Sequence, residues 1–111
     1  MLTEAELLER IKALVSAGKY FVGSHATQHM FAEGFSINDI VEAVTGKSRI
    51  LERYSNASRC LVVGYFQVSD KTRAPLHLVV EYSDEDEIDI VTAYIPQKPW
   101  WITPWQRGRS K

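Results

Sequence analysis

The sequence predicts an α+β domain in which about three helices are followed by a four-stranded antiparallel sheet and pack on one face of it. Three observations carry that expectation. Up to Gly46 the apolar residues recur at helical spacing behind helix-capping residues, and from Arg49 the period shortens to about two, with β-branched and aromatic runs between turn signals. The connections between those runs are short, which makes sequential antiparallel pairing the default, and helices that precede a run of strands pack together on one face of the sheet. The opposite face is then left to solvent or to a ligand.

Thr3 followed by Glu6 is a capping-box pattern, and Leu7, Ile11, Leu14 and Val15 recur at helical spacing until Gly18, which places a first helix over about Thr3 to Ala17. Tyr20 to Val22 is a short extended piece. Gly23 breaks the chain, Ser24 is expected to cap a second helix, and Gly34 falls where an αL C-cap ends it. Ser36 caps a third helix with Ile37, Ile40, Val41 and Val44 on its buried stripe and Gly46 as its stop. The strands are expected at Arg49 to Tyr54, at Arg59 to Val68 (apolar on both faces and therefore central), at Leu76 to Tyr82, and at Ile88 to Ile95, where Pro96 ends the ladder. Ser69 to Pro75 reads as a polar turn, and the acidic run Ser83 to Asp89 as a hairpin loop.

The 111 residues, 45% of them hydrophobic, read as a single domain able to bury roughly two thirds of its unfolded surface. No repeat or low-complexity linker interrupts them. Lys and Arg number 13 against 14 Asp and Glu, so an overall basic field gives no reason to expect nucleic acid. The charge is instead segregated along the chain. Acidic residues crowd into the 83–89 loop, and basic ones fall at Lys47, Arg49, Arg53, Arg59, Lys71 and Arg73 and again in the Trp- and Pro-rich tail, residues 97–111. Cys60 is the one cysteine; it has no disulfide partner and sits in an apolar run, which favours a reducing compartment. No basic segment precedes an apolar stretch at the N-terminus and no window has the ~18 apolar residues of a membrane span, so a soluble cytoplasmic protein without membrane contact is expected.

The chemistry concentrates in Ser24 to Met30, SHATQHM. His25 and His29 lie four residues apart and so share a helical face, while His77 lies inside the apolar run Leu76 to Val80. If helix and strand meet, the chain has one polar site. His77, Val79 and Glu81 share a strand face, as do Thr92 and Tyr94; a register opposing 77 to 94 sets histidine beside tyrosine, and a shift of one residue separates them. The plain readings stand beside this. His25 and His29 can be surface polar residues, His77 a satisfied core histidine, Arg53 and Arg59 solvated strand ends, and the tail tryptophans cover for a sheet edge or core gap, with stacking on an unpaired base as their alternative. A zinc site of His25, His29 and His77 is a weaker reading, because no HExxH pattern or second cysteine supports it. No cofactor or metal is assigned.

SHATQHMFAEGFSINDIVEAVTG, ILERY, CLVVGYF, PLHLVVEY and IVTAYIP, in that order, resemble the bacterial domain-of-unknown-function family 4258, with its Ser-His-Ala opening, Pro-Leu-His strand and Thr-x-Tyr-x-Pro ending. The likeness covers residues 23–96. His29 stands where that family usually has arginine, and Phe31-Ala32-Glu33-Gly34 replaces its Glu-Arg-Gly run. The first change loses a guanidinium fork for phosphate and substitutes a group whose charge depends on pH. The family is similar in layout to RelE-like and barnase-like ribonuclease toxins, so the resemblance implies a toxin–antitoxin-like domain that binds RNA or cleaves it without metal, with RNA and an antitoxin-like protein as partners. Such cleavage needs a base, an acid and cations. His25 and His77 are the expected acid–base pair, helped by His29, and Tyr94 is expected to orient a phosphate oxygen. Arg53, Arg59, Lys98 and Thr92 are the expected phosphate-side residues. A non-catalytic module of the same fold that binds a protein or an anion is the alternative.

Overall fold

A computed structural model describes residues 2–97 and 101–108 of the chain. Thr3 and Glu6 close the predicted capping box, each side chain bonding the other's backbone N–H, at the start of α1 (Glu4–Ser16). Leu7, Ile11 and Val15, spaced by four, form its buried stripe. After β1 (Tyr20–Val22) comes α2 (Ser24–Glu33), which ends at Gly34 in the left-handed conformation. Its N-cap is Gly23 rather than Ser24, which lies inside the first turn and makes no cap bond. A second capping box, Ser36 with Asp39, opens α3 (Ile37–Thr45).

The strands are β2 (Arg49–Tyr54), β3 (Arg59–Ser69), β4 (Thr72–Glu81) and β5 (Ile88–Tyr94), followed by a small hairpin of β6 (Trp101–Thr103) and β7 (Gln106–Arg107). The main sheet has five strands in the order β1-β5-β4-β3-β2 rather than four. The added member is the extended piece Tyr20–Val22, which pairs in parallel with β5 from Ile88 to Ile90, so the sheet is mixed. The other pairs are antiparallel and sequential, as expected. β4 starts earlier than the polar composition of 69–75 suggested. Pro75 is tolerated within it because β4 there runs past the end of β5, leaving one side unpaired.

Alternation along the strands separates two faces. Cys60, Val62, Phe66, Leu76, Leu78, Val80, Ile88, Ile90 and Ala93 face the helices and join Leu7, Ile11, Ile40 and Val44 in the core. The closest approach is at Gly64, where a Cβ would stand 1.9 Å from the carbonyl oxygen of Ala43, so α3 can lie on β3 only with glycine there. Leu61, Val63 and His77 point to the other face, yet all are buried. That face was expected to be open. The hairpin of β6 and β7 lies over it, with Trp101 only 5% exposed, and makes a partial third layer.

Candidate functional site

One row of the sheet organises the outer face. Tyr94, His77, Val63 and Arg49 stand opposite one another across β5, β4, β3 and β2, the register that sets histidine beside tyrosine. His77 has no exposed surface. Its Nε2 lies 2.7 Å from the carbonyl oxygen of Pro104, which can only accept, so Nε2 carries the hydrogen. Nδ1 is then a lone pair, and the Tyr94 hydroxyl donates to it across a long 3.3 Å. Trp101 packs against the imidazole in a T-shaped pair, ring centroids 4.4 Å apart at 86°. Burial holds the His77 pKa below the usual histidine value, and burial likewise raises that of Tyr94. Both groups are therefore neutral at neutral pH.

A second histidine reaches this neighbourhood from α2, which packs along β5. His29 Nδ1 is hydrogen-bonded to Glu33 Oε2, one helical turn on, and the other carboxylate oxygen of Glu33 accepts the Ile95 backbone N–H at 2.7 Å. Glu33 thus ties the helix to the end of β5 and fixes which nitrogen of His29 stays free: Nε2. The His29 and Tyr94 ring centroids are 6.2 Å apart. Across from them Arg107 of β7 makes a two-point bond to Glu52 of β2, Nε at 2.7 Å and Nη2 at 2.9 Å, and its guanidinium sits 4.7 Å from the centre of the Trp101 ring. The Tyr54 hydroxyl donates to the same carboxylate. Arg107 holds the Glu52 carboxyl below its usual range, while burial first and the Glu52 bond second push Tyr54 up to about 12. His29, Glu33, Tyr94, Ile95, Gln97, Trp101 and Arg107 line a cavity of about 390 Å³.

The family described as Domain of unknown function (DUF4258) matches residues 22–95. The chain belongs to that family. The DUF4258 span holds α2 with His29 and Glu33, and the strands with His77 and Tyr94; Trp101 and Arg107, which complete the cavity, follow it, as does Pro104, which accepts the His77 hydrogen. No curated protein and no solved structure matches the chain.

The other expected site residues of this DUF4258 domain do not gather with these. His25 is exposed at the start of α2 and lines a different cavity, of about 310 Å³, with Phe21, Arg59 and Asp89. That cavity lies at the Asp89–Glu81–Arg59 row, four positions along β4 from His77 or about 13 Å. The structure therefore does not bring His25 and His77 into one site, and His77 lines none of the described cavities. Arg53 pairs with Cys60 and so belongs to the helix-side face, where it donates to the Leu2 carbonyl at 3.2 Å and lines a cavity with Arg10 and Tyr82. Thr92 shares the outer face with Tyr94, half-buried, and Lys98 lies outside the described residues. Among the described residues no group of three or more His, Cys, Asp or Glu is placed to hold a metal ion, so His25, His29 and His77 do not form a common ligand set. Glu33, Arg107 and Glu52 were not singled out from the sequence, and Trp101 was expected only among the tail tryptophans that cover a sheet edge or core gap. Glu33 had a signal there, since it stands at i+4 from His29. Arg107 had none, because its partner Glu52 is 55 residues away.

Proposed function

We propose that the cavity between α2, the end of β5 and the C-terminal hairpin binds an RNA phosphodiester and cleaves it without a metal ion. The observation that carries this reading is the joint placement of His29, held through Nδ1 by Glu33, with Tyr94 and Arg107 on the walls of one cavity. His29 Nε2 takes the proton of the ribose 2′-hydroxyl, and the 2′-oxygen attacks phosphorus. The bond from phosphorus to the 5′-oxygen breaks, and that oxygen takes a proton from Tyr94. Burial keeps the Tyr94 phenol protonated, and its long bond to His77 is easily exchanged for one to substrate. Arg107, aimed by Glu52 and backed by Trp101, donates to the non-bridging oxygens as charge builds on them. The products are a 2′,3′-cyclic phosphate and a 5′-hydroxyl, and the proton on His29 returns to Tyr94 through water. In this reading His77 is a positioning residue that holds Tyr94. An inhibitor protein of the antitoxin kind acts by covering the cavity.

The test is end-labelled RNA incubated with the purified protein in EDTA. Cleavage leaving cyclic-phosphate ends, and lost by at least about a hundredfold in His29→Ala, supports the reading. RNA bound but left intact by the wild-type protein transfers the site to the alternative, a non-catalytic anion-binding module. Cleavage that EDTA abolishes and zinc restores contradicts the metal-free route.

A further inference from the structure

The row Tyr94–His77–Val63–Arg49 continues past the proposed cleavage cavity to a second cavity, about 470 Å³ in volume, at its other end. Lys47, Ser48, Arg49, Val63, Tyr65 and Trp105 line it. Its composition is unusual for a packing defect. Two cationic side chains flank two aromatic rings, Tyr65 and Trp105, with centroids 6.4 Å apart, and the Arg49 guanidinium stands 5.8 Å from the centre of the Trp105 ring. Neither Lys47 nor Arg49 makes an ion pair among the described residues. Trp105, at the hairpin tip, is 48% exposed, a large apolar area to leave in water on a hairpin whose other tryptophan, Trp101, is buried. The Tyr65 hydroxyl is buried and has no hydrogen-bond partner among the described residues.

We infer that this cavity is a second nucleotide subsite, which stacks an unpaired base on Trp105 and takes the adjoining phosphate on Lys47 and Arg49. An indole face with a free edge accepts any base, and two unpaired cations beside it match a backbone phosphate. Three strand spacings separate the Arg49 and Tyr94 positions, about 14 Å, a span that a few nucleotides of extended single strand cover. The inference rests on the reading of the first cavity as an RNA site and adds to it that the substrate is single-stranded, bound across the hairpin and engaged at both ends of the row. A rigid duplex cannot place one base flat on Trp105 while a neighbouring phosphate enters the other cavity.

The experiment compares binding of 2′-deoxy oligonucleotides of two and six residues, which cannot be cleaved through a 2′-oxygen, by the wild type, Trp105→Ala, Trp105→Phe and Lys47→Ala/Arg49→Ala, beside cleavage of the matching RNAs. The expected result is that the hexamer binds about tenfold or more tighter than the dimer, that Trp105→Ala and the double cation variant remove that advantage, and that Trp105→Phe keeps most of it. Trp105→Ala should also slow cleavage of the hexamer and leave cleavage of the dimer as it was. Hexamer binding and cleavage unchanged in Trp105→Ala overturn the subsite and leave the first cavity as it stands. A Trp105-dependent hexamer advantage in a protein that cleaves nothing supports the subsite and overturns the cleavage reading. No binding of either oligonucleotide by the wild type overturns both.

Discussion

His77 shows how a buried imidazole is made neutral and directional by its neighbours. Pro104 takes its Nε2 hydrogen, Tyr94 donates to its Nδ1, and burial disfavours its charged form. Its folded-state pKa is lowered, so between that value and the unfolded value near ~6.5 the unfolded chain binds more protons than the folded one. The stability His77 contributes is therefore present above ~6.5 and is lost as pH falls from there through the folded pKa. Denaturant melts between pH 7.5 and pH 5 should show this decline, and His77→Phe should flatten it. Glu33 acts on the other histidine. In Glu33→Gln the amide still spans to Ile95 but no longer offers His29 a charged acceptor, so cleavage should fall by at least about tenfold with little change in melting temperature. The sequence disclosed the His29 face because helical periodicity sets it locally, but it left two registers open for His77 and Tyr94, because the hairpin loop between their strands is long enough to allow either; the structure has the one that opposes them. Arg107 escaped because only the return of the tail brings it to Glu52, and His25 misled because one helical turn from His29 is enough to carry it to a different cavity.

At the scale of elements, two contacts decide whether the layers can form. α3 lies on β3 through Ala43 and Gly64, and the atoms a new Cβ would meet are backbone, which cannot rotate away. Gly64→Ala should lower stability by about 2 kcal/mol or more in denaturant unfolding, since an overfilled core yields only by moving the helix. The hairpin is anchored by Trp101 on His77. Trp101→Ala should cost roughly 3–5 kcal/mol, and in the folded fraction an NMR titration should show the His77 pKa moving up toward its ordinary value as water reaches the ring. The helices, the Thr3–Glu6 capping box and the Ser36 cap were legible because caps, stripe and stop agree within a dozen residues; the Ser36–Asp39 box was not read. Tyr20–Val22 was legible as extended but not as a sheet member, because three residues carry no alternation and the partner, β5, lies more than sixty residues on. The early start of β4 was hidden by Pro75, which usually argues against a strand and is accepted here on an unpaired side.

For the whole molecule, the sheet is a divider with a helix layer on one side and a short aromatic hairpin on the other, and the proposed chemistry sits where the hairpin meets α2. A chain of net charge −1 has no general attraction for nucleic acid, so binding rests on a few placed cations: Arg107 at one cavity, Lys47 and Arg49 at the other. Single-strand release is about 0.7 counterion per neutralised phosphate, so the slope of log affinity against log salt should be shallow, about −1 to −2. The sequence separated helices from strands because a change of period is a local property; it marked the tail tryptophans as cover for a sheet edge or core gap, but composition alone does not say which face they roof, and the outer face was left to solvent or a ligand. The central claim, that the cavity under that roof is where RNA binds, is tested most directly by NMR mapping with a 2′-deoxy dinucleotide. The account predicts shifts at the His29 ring, the Ile95 amide, the Trp101 indole and the Arg107 Nε–H. Shifts confined to His25, Arg59 and Asp89, or none at all, contradict it.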